Sequence, residues 1–140
     1  MLKKTVPNKT LINAIELIKW FEWIRFESYW DIKQYSICYW TKSKVWMTAT
    51  QSQCDEMLRQ RVQSELDRIN AIAWHIDSNK KVALISLFYN IWYKGNILNY
   101  ASRWDDKSVI YIMRKYNRAW WKYLKGLQIR RNKEILYYLK

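Results

Sequence analysis

The sequence predicts an α+β fold that is predominantly helical. Apolar residues recur at helical spacing over most of the 140 residues, while the stretch 24–47 is rich in aromatic and β-branched residues that partly alternate with polar ones. No repeat, low-complexity tract or Pro/Gly linker divides the chain. Its length suits one domain over 1–140, with a helix plus β region at about 8–48 and a helical lobe at about 49–140. A chain of this size buries roughly two-thirds of its unfolded surface.

Residues 1–8 read as a short polar arm. Asn8 or Thr10 caps a first helix in which Leu11, Ile15, Ile18 and Phe21 share a face, and this helix is expected to end near Glu22-Trp23. Between 24 and 47, Phe26, Tyr29, Ile32, Tyr35, Ile37, Tyr39 and Val45 predict a β-hairpin or a three-strand meander. Thr50 or Ser52 opens the next helix, with Asp55 and Glu56 expected in its first turn and Met57, Leu58, Val62, Leu66, Ile69 and Ile72 forming its stripe. Ser78 is expected to cap a segment carrying Val82, Ile85, Phe88 and Tyr89. Short helices follow at 95–103 and 105–117, and a last one at about Gln128 to Leu139.

The net charge of +13 calls for an anionic partner, such as a cell wall, an acidic membrane or nucleic acid, or else simply for a solvated basic surface. From Arg114 to Lys140 there are nine Lys/Arg against one Glu, so this end also suits an anionic lipid surface. No apolar run reaches 18 residues, and Pro7, Asn8, Asn13, Glu16 and Lys19 interrupt the start, so neither a membrane span nor a signal peptide is expected. The two cysteines, Cys38 and Cys54, are expected as free thiols, with a bond between them left open. With one histidine, His75, and no paired-ligand spacing, no metal or cofactor is expected. His75 itself is expected at the surface of a 71–79 turn.

Glu22 at a helix end and Asp31 in the β region form a carboxylate pair nine residues apart. Two carboxylates across a scissile bond are what glycoside hydrolysis requires: one protonates the leaving oxygen while the other activates water or attacks. Acidic residues at this separation are usually solvated surface groups, so the flanking sequence has to decide.

Those flanks carry a resemblance. The stretch Phe21-Glu22-Trp23-Ile24-Arg25-Phe26-Glu27-Ser28-Tyr29-Trp30-Asp31 resembles the phage-type lysozyme signature, a Phe-Glu-Gly opening followed by Ala-Tyr-x-Asp. Tyr35-Ser36-Ile37-Cys38-Tyr39-Trp40-Thr41 is similar to that family's Thr-Ile-Gly-Tyr-Gly hairpin. Ser86-Leu87-Phe88-Tyr89-Asn90-Ile91-Trp92 is similar to its Phe-Asn-Val-Gly helix end, and the segment from Asn117 to Glu134 to its Ala-Gly-Gly-Lys…Gly-Leu-x-x-Arg-Arg run. Four motifs thus stand in family order from 21 to 134.

The resemblance implies a lysozyme-like fold and a peptidoglycan hydrolase cutting the bond between N-acetylmuramic acid and N-acetylglucosamine with inversion. By motif, Glu22 is the general acid, Asp31 the water-activating or electrostatic partner and Ser36 the hydroxyl, in place of Thr. Asn90 is a sugar contact, and Arg130 or Arg131 approaches Glu22. It further implies a monomer that rests in a host cytoplasm and reaches the wall through a separate holin-like release partner. Cys38 replaces a motif glycine, and Thr41 stands where many relatives carry His.

Ten tryptophans and two glycines, Gly95 and Gly126, make an unusual composition, because average usage of about 7% predicts roughly ten glycines. Trp23, Trp40, Trp92, Trp120 and Trp121 fall on family glycines, and Trp46 and Trp104 on turn-like positions. A gene that uses UGA for glycine, translated with UGA as Trp, would give this pattern; genuine core or sugar-stacking tryptophans are the other reading. Two further readings of function stand beside the hydrolase: a non-enzymatic aromatic-rich binder of nucleic acid or membrane, with Tyr111, Tyr116, Tyr123, Tyr137 and Tyr138 among basic residues, and an inactive lysozyme-fold relative. No nucleic-acid-binding motif supports the first.

Overall fold

In the computed structural model, residues 8–31, 34–119 and 121–140 are described, and they form six helices with two small antiparallel sheets. Helix α1 spans Lys9–Phe21, capped by the Asn8 side chain, which accepts from the Thr10 and Leu11 amides. Ala14, Leu17 and Ile18 are its buried face. Strands β1 (Arg25–Asp31), β2 (Gln34–Cys38) and β3 (Thr41–Lys42) then form the meander in that order, so the three-strand alternative holds. A bulge between Arg25 and Tyr29 interrupts the β1–β2 register, after which Tyr29 pairs with Ser36 and Asp31 with Gln34.

Helix α2 (Gln51–Ala73) opens with a full capping box: the Thr50 hydroxyl accepts from the Gln53 amide while the Gln53 side chain accepts from the Thr50 amide. That cap leaves no acid in the first turn: Asp55 and Glu56, expected there, lie beyond it. Helix α3 (Ser78–Ile91) has Asp77, not Ser78, in the cap position. Every residue from Val82 to Tyr89 is buried, as a helix wrapped by others requires. It packs against α1, α2 and the last helix, α6.

Helices α4 (Gly95–Ser102) and α5 (Asp106–Arg114) are each slightly shorter than expected. A hairpin that the sequence did not reveal follows, with β4 (Arg118–Ala119) paired to β5 (Lys122–Tyr123); strands of two residues carry no periodicity to read. Helix α6 (Lys125–Tyr138) begins three residues earlier than Gln128. His75 is half-buried, its Nε2 2.7 Å from the Ser102 carbonyl, rather than a free surface residue. No helix among the described residues is long and apolar enough to cross a membrane.

Cys38 and Cys54 form a disulfide, contrary to the expectation of free thiols. Both are fully buried, and the bond ties the end of β2 to the first turn of α2. Cys38 reaches this geometry with φ 59°, in the left-handed region that side-chain-bearing residues rarely enter. Five tryptophans share that region: Trp40, Trp46, Trp92, Trp104 and Trp121, with φ between 61° and 71°. Trp23 does not, and Trp120 lies outside the described residues.

Candidate active site

Glu22 is the C-cap of α1. Its own amide still closes the helix on the Ile18 carbonyl at 2.9 Å, but its backbone is extended, which turns its side chain away from the helix path. The end of a helix carries partial negative charge, an unfavourable place for a carboxylate. Arg130 of α6 supplies the compensation: its Nη1 lies 2.5 Å from Glu22 Oε1, and its guanidinium rests on the Phe21 ring. Arg130 is held in turn by the Ser86 carbonyl of α3, which accepts from Nη2 at 3.2 Å.

Asp31 ends β1, and Tyr29, two residues earlier, points to the same face by strand alternation. Glu22, Tyr29, Asp31, Trp40, Asn90 and Arg130 together line a cleft of about 270 Å³ whose wall is mostly polar. Five elements therefore converge there: the end of α1, β1, the β2–β3 turn, α3 and α6. Burial, reinforced by the charges of Asp31 and Glu22, raises the Tyr29 phenol above its usual range. The indole Nε1 of Trp40 donates to Asp31 Oδ2, so the second carboxylate is covered by a side chain.

The two arginine candidates separate cleanly. Arg130 pairs with Glu22, whereas Arg131 donates to Asn90 Oδ1 at 2.8 Å and sits with its Nε 2.6 Å from Glu134 Oε1. That last contact is close enough for an ion pair but too poorly aligned for a hydrogen bond. Asn90 lines the cleft, yet its carbonyl oxygen is engaged by Arg131, leaving its amide NH₂ as the group to offer a sugar. Glu134, fully buried, accepts from the Ser86 hydroxyl at 2.5 Å. Burial raises Glu134 and lowers Arg131, each opposed by the charge of the other.

Ser36 lies on the cleft face of β2, cross-strand from Tyr29, but it is 0% exposed and does not line the cleft. Its hydroxyl accepts from the Gln34 side chain at 3.3 Å. The sequence missed Tyr29, Ser86 and Glu134 in this region. Tyr29 was within reach through its two-residue spacing from Asp31; Ser86 and Glu134 are 48 residues apart and only packing joins them. Among the described residues, no group of three or more His, Cys, Asp or Glu is arranged to hold a metal ion.

The fold has close structural counterparts. The muramidase domain of SpmX from Asticaccaulis excentricus aligns with a TM-score of 0.78 at 21% identity, over 91% of this chain and 95% of that one. An endolysin from Escherichia coli O157:H7 phage FAHEc1 aligns at 0.75 and 22%, over 100% and 97%. The active form of P1 phage endolysin Lyz aligns at 0.78 and 18%, over 94% and 84%. Identities this low speak to the fold. No curated protein matches the sequence significantly. The phage lysozyme family model, by contrast, matches residues 19–134, which takes in the whole carboxylate cleft. With most of its length matched and the architecture shared, the chain belongs to the phage lysozyme family and is a glycoside hydrolase acting on peptidoglycan.

Proposed function

We propose that this protein cuts the β-1,4 bond between N-acetylmuramic acid and N-acetylglucosamine, with Glu22 as general acid and Asp31 activating or steadying the attacking water, in the service of phage-induced host lysis. The observation that carries this reading is the convergence of Glu22 and Asp31 on one polar cleft, with a guanidinium fixed on Glu22. Glu22 protonates the glycosidic oxygen as the bond breaks, and water held by Asp31 adds to the opposite face of the sugar ring, giving inversion. Arg130 aims the Glu22 carboxyl, and the Asn90 amide binds a sugar hydroxyl or acetamido oxygen. Ser36, beneath the cleft face, braces through its bond with Gln34 the β2 segment that pairs with Tyr29 and Asp31. The net charge of +13 favours adsorption to an anionic wall. The enzyme waits as a monomer in the host cytoplasm until a separate membrane-permeabilising protein releases it.

The test is clearing of purified cell walls by the parent, Glu22→Gln and Asp31→Asn, with analysis of the ends released. Loss of a general acid typically costs 10²–10⁴ in rate, so Glu22→Gln is expected to fall by at least 100-fold. New reducing ends on muramic acid are expected. Equal clearing by all three proteins, or release of peptide ends in place of sugar ends, refutes the assignment.

A further inference from the structure

Nine of the ten tryptophans lie among the described residues, and five of those adopt left-handed backbone: Trp40, Trp46, Trp92, Trp104 and Trp121. The only other described residue with a side chain in that region is Cys38, which is held by its disulfide. Neither glycine uses its conformational freedom: Gly95 and Gly126 both sit in helices with negative φ. Left-handed backbone places Cβ against the following carbonyl oxygen, a clash that glycine alone escapes.

The indoles gain little in return. Trp46 is 90% and Trp121 95% exposed, so their apolar area stays in water, and Trp92 and Trp104 are also mostly exposed. Arg61 lies over the Trp92 ring and Lys80 over the Trp104 ring, contacts that contribute least at exposed sites. Trp40 is the exception in position: it sits in the cleft and its Nε1 occupies Asp31. The indole N–H takes one of the two Asp31 oxygens, so fewer acceptor sites remain on the carboxylate that is to hold the attacking water.

We propose that the working enzyme carries glycine at positions 40, 46, 92, 104 and 121, encoded by UGA read as glycine, and that glycine at 40 opens the cleft by freeing Asp31. The backbone half of this proposal is independent of the reaction. The cleft half rests on the roles proposed for Glu22 and Asp31. Backbone geometry sets no requirement for glycine at Trp20, Trp23, Trp30 or Trp74.

Three proteins separate the possibilities: the chain as written, a variant with glycine at all five positions, and one with alanine at all five. Alanine removes the indole but keeps the Cβ clash, so only glycine relieves the backbone. The glycine variant is expected to melt roughly 10 °C or more above both others, a few degrees per position in a domain of this size. A glycine variant that melts no higher than the alanine variant overturns the backbone claim. For the cleft, Trp40→Gly and Trp40→Ala are both expected to clear walls at least tenfold faster than the chain as written, and adding Glu22→Gln is expected to abolish the gain. No gain from either, with clearing still dependent on Glu22, overturns the claim that Trp40 obstructs the cleft. Clearing indifferent to Glu22 defeats the proposed chemistry and leaves the melting result standing. In the gene, the five codons are expected to be UGA, and UGG at these positions refutes the recoding.

Discussion

Replacing Arg130 with Met tests whether the cleft depends on this guanidinium. The side chain is 7% exposed, against 15% for Glu22 and 0% for Glu134. Met preserves most of the aliphatic volume over Phe21 and removes the charge. The interactions lost are the 2.5 Å contact with Glu22, the bonds to the Ser86 carbonyl at 3.2 Å and the Ser86 hydroxyl at 3.5 Å, the 3.5 Å approach to Glu134 and the stacking of the cation on Phe21. Removing one member of a buried pair costs about 3–5 kcal/mol, because the abandoned charge stays desolvated. Glu134 keeps Arg131, and Glu22 is partly open to water, so the lower end applies, at about 3 kcal/mol. In a Glu22→Gln background no carboxylate is stranded at the helix end, and the same substitution is expected to cost about 1 kcal/mol. The difference, a coupling of about 2 kcal/mol, is read from a double-mutant cycle by urea unfolding at neutral pH, with the denaturant slope unchanged. A coupling below about 0.5 kcal/mol refutes the claim that Arg130 compensates Glu22.

Other regions yield independent expectations. Reduction of Cys38–Cys54, which closes a loop of 16 residues' separation, is expected to lower stability by about 3 kcal/mol, measured by unfolding with and without reductant; a change within error would refute a stabilising role for the bond. Thr50→Ala removes the capping box of α2 and is expected to cost about 1 kcal/mol, with Thr50→Ser restoring most of it in thermal melts. Glu65 is 6% exposed with Oε2 unpartnered, and burial raises its carboxyl above the ordinary 4.5. The native state therefore holds this proton more tightly than the unfolded chain, and its contribution declines as pH rises from 4.5 through the raised native value. Glu65→Gln is expected to stabilise the protein by about 1–2 kcal/mol at neutral pH and to make no difference near pH 4, in paired urea titrations. A difference independent of pH would locate the effect elsewhere.

The sequence revealed most of what periodicity can carry. The presence of α1, α2 and α3 and of the β-rich stretch follows from local spacing, with Asn8 and Thr50 each one of two caps it allowed. The faces follow only in part: α1 buries Ala14 and Leu17 beside Ile18, Ile72 of α2 is exposed, and α3 is buried on every side from Val82 to Tyr89. The carboxylates that meet in the cleft were legible because motif residues flank them. Choosing between Arg130 and Arg131 was beyond the sequence: neighbours on a helix point about 100° apart, and only the docking of α6 against α1 and α3 decides which one faces Glu22. The disulfide was hidden for a related reason. Sixteen residues of separation permit it, but the sulfurs meet where β2 packs against α2, with Cys38 in a left-handed backbone that its type does not advertise. The burial of Ser36 depends on what covers β2, a property of the assembled cleft and not of the strand.

The Arg130–Glu22 contact joins residues 108 apart in the chain. At a synthesis rate of about 5–20 residues per second, roughly 5–20 s pass on the ribosome between the two. During that interval α1 has emerged with its terminal carboxylate uncompensated, and the cleft has no floor on the α6 side. On the roles proposed for Glu22 and Arg130, catalytic competence is a late event in the life of each molecule, because a ribosome stalled between α1 and α6 carries a nascent chain with the cleft unfinished.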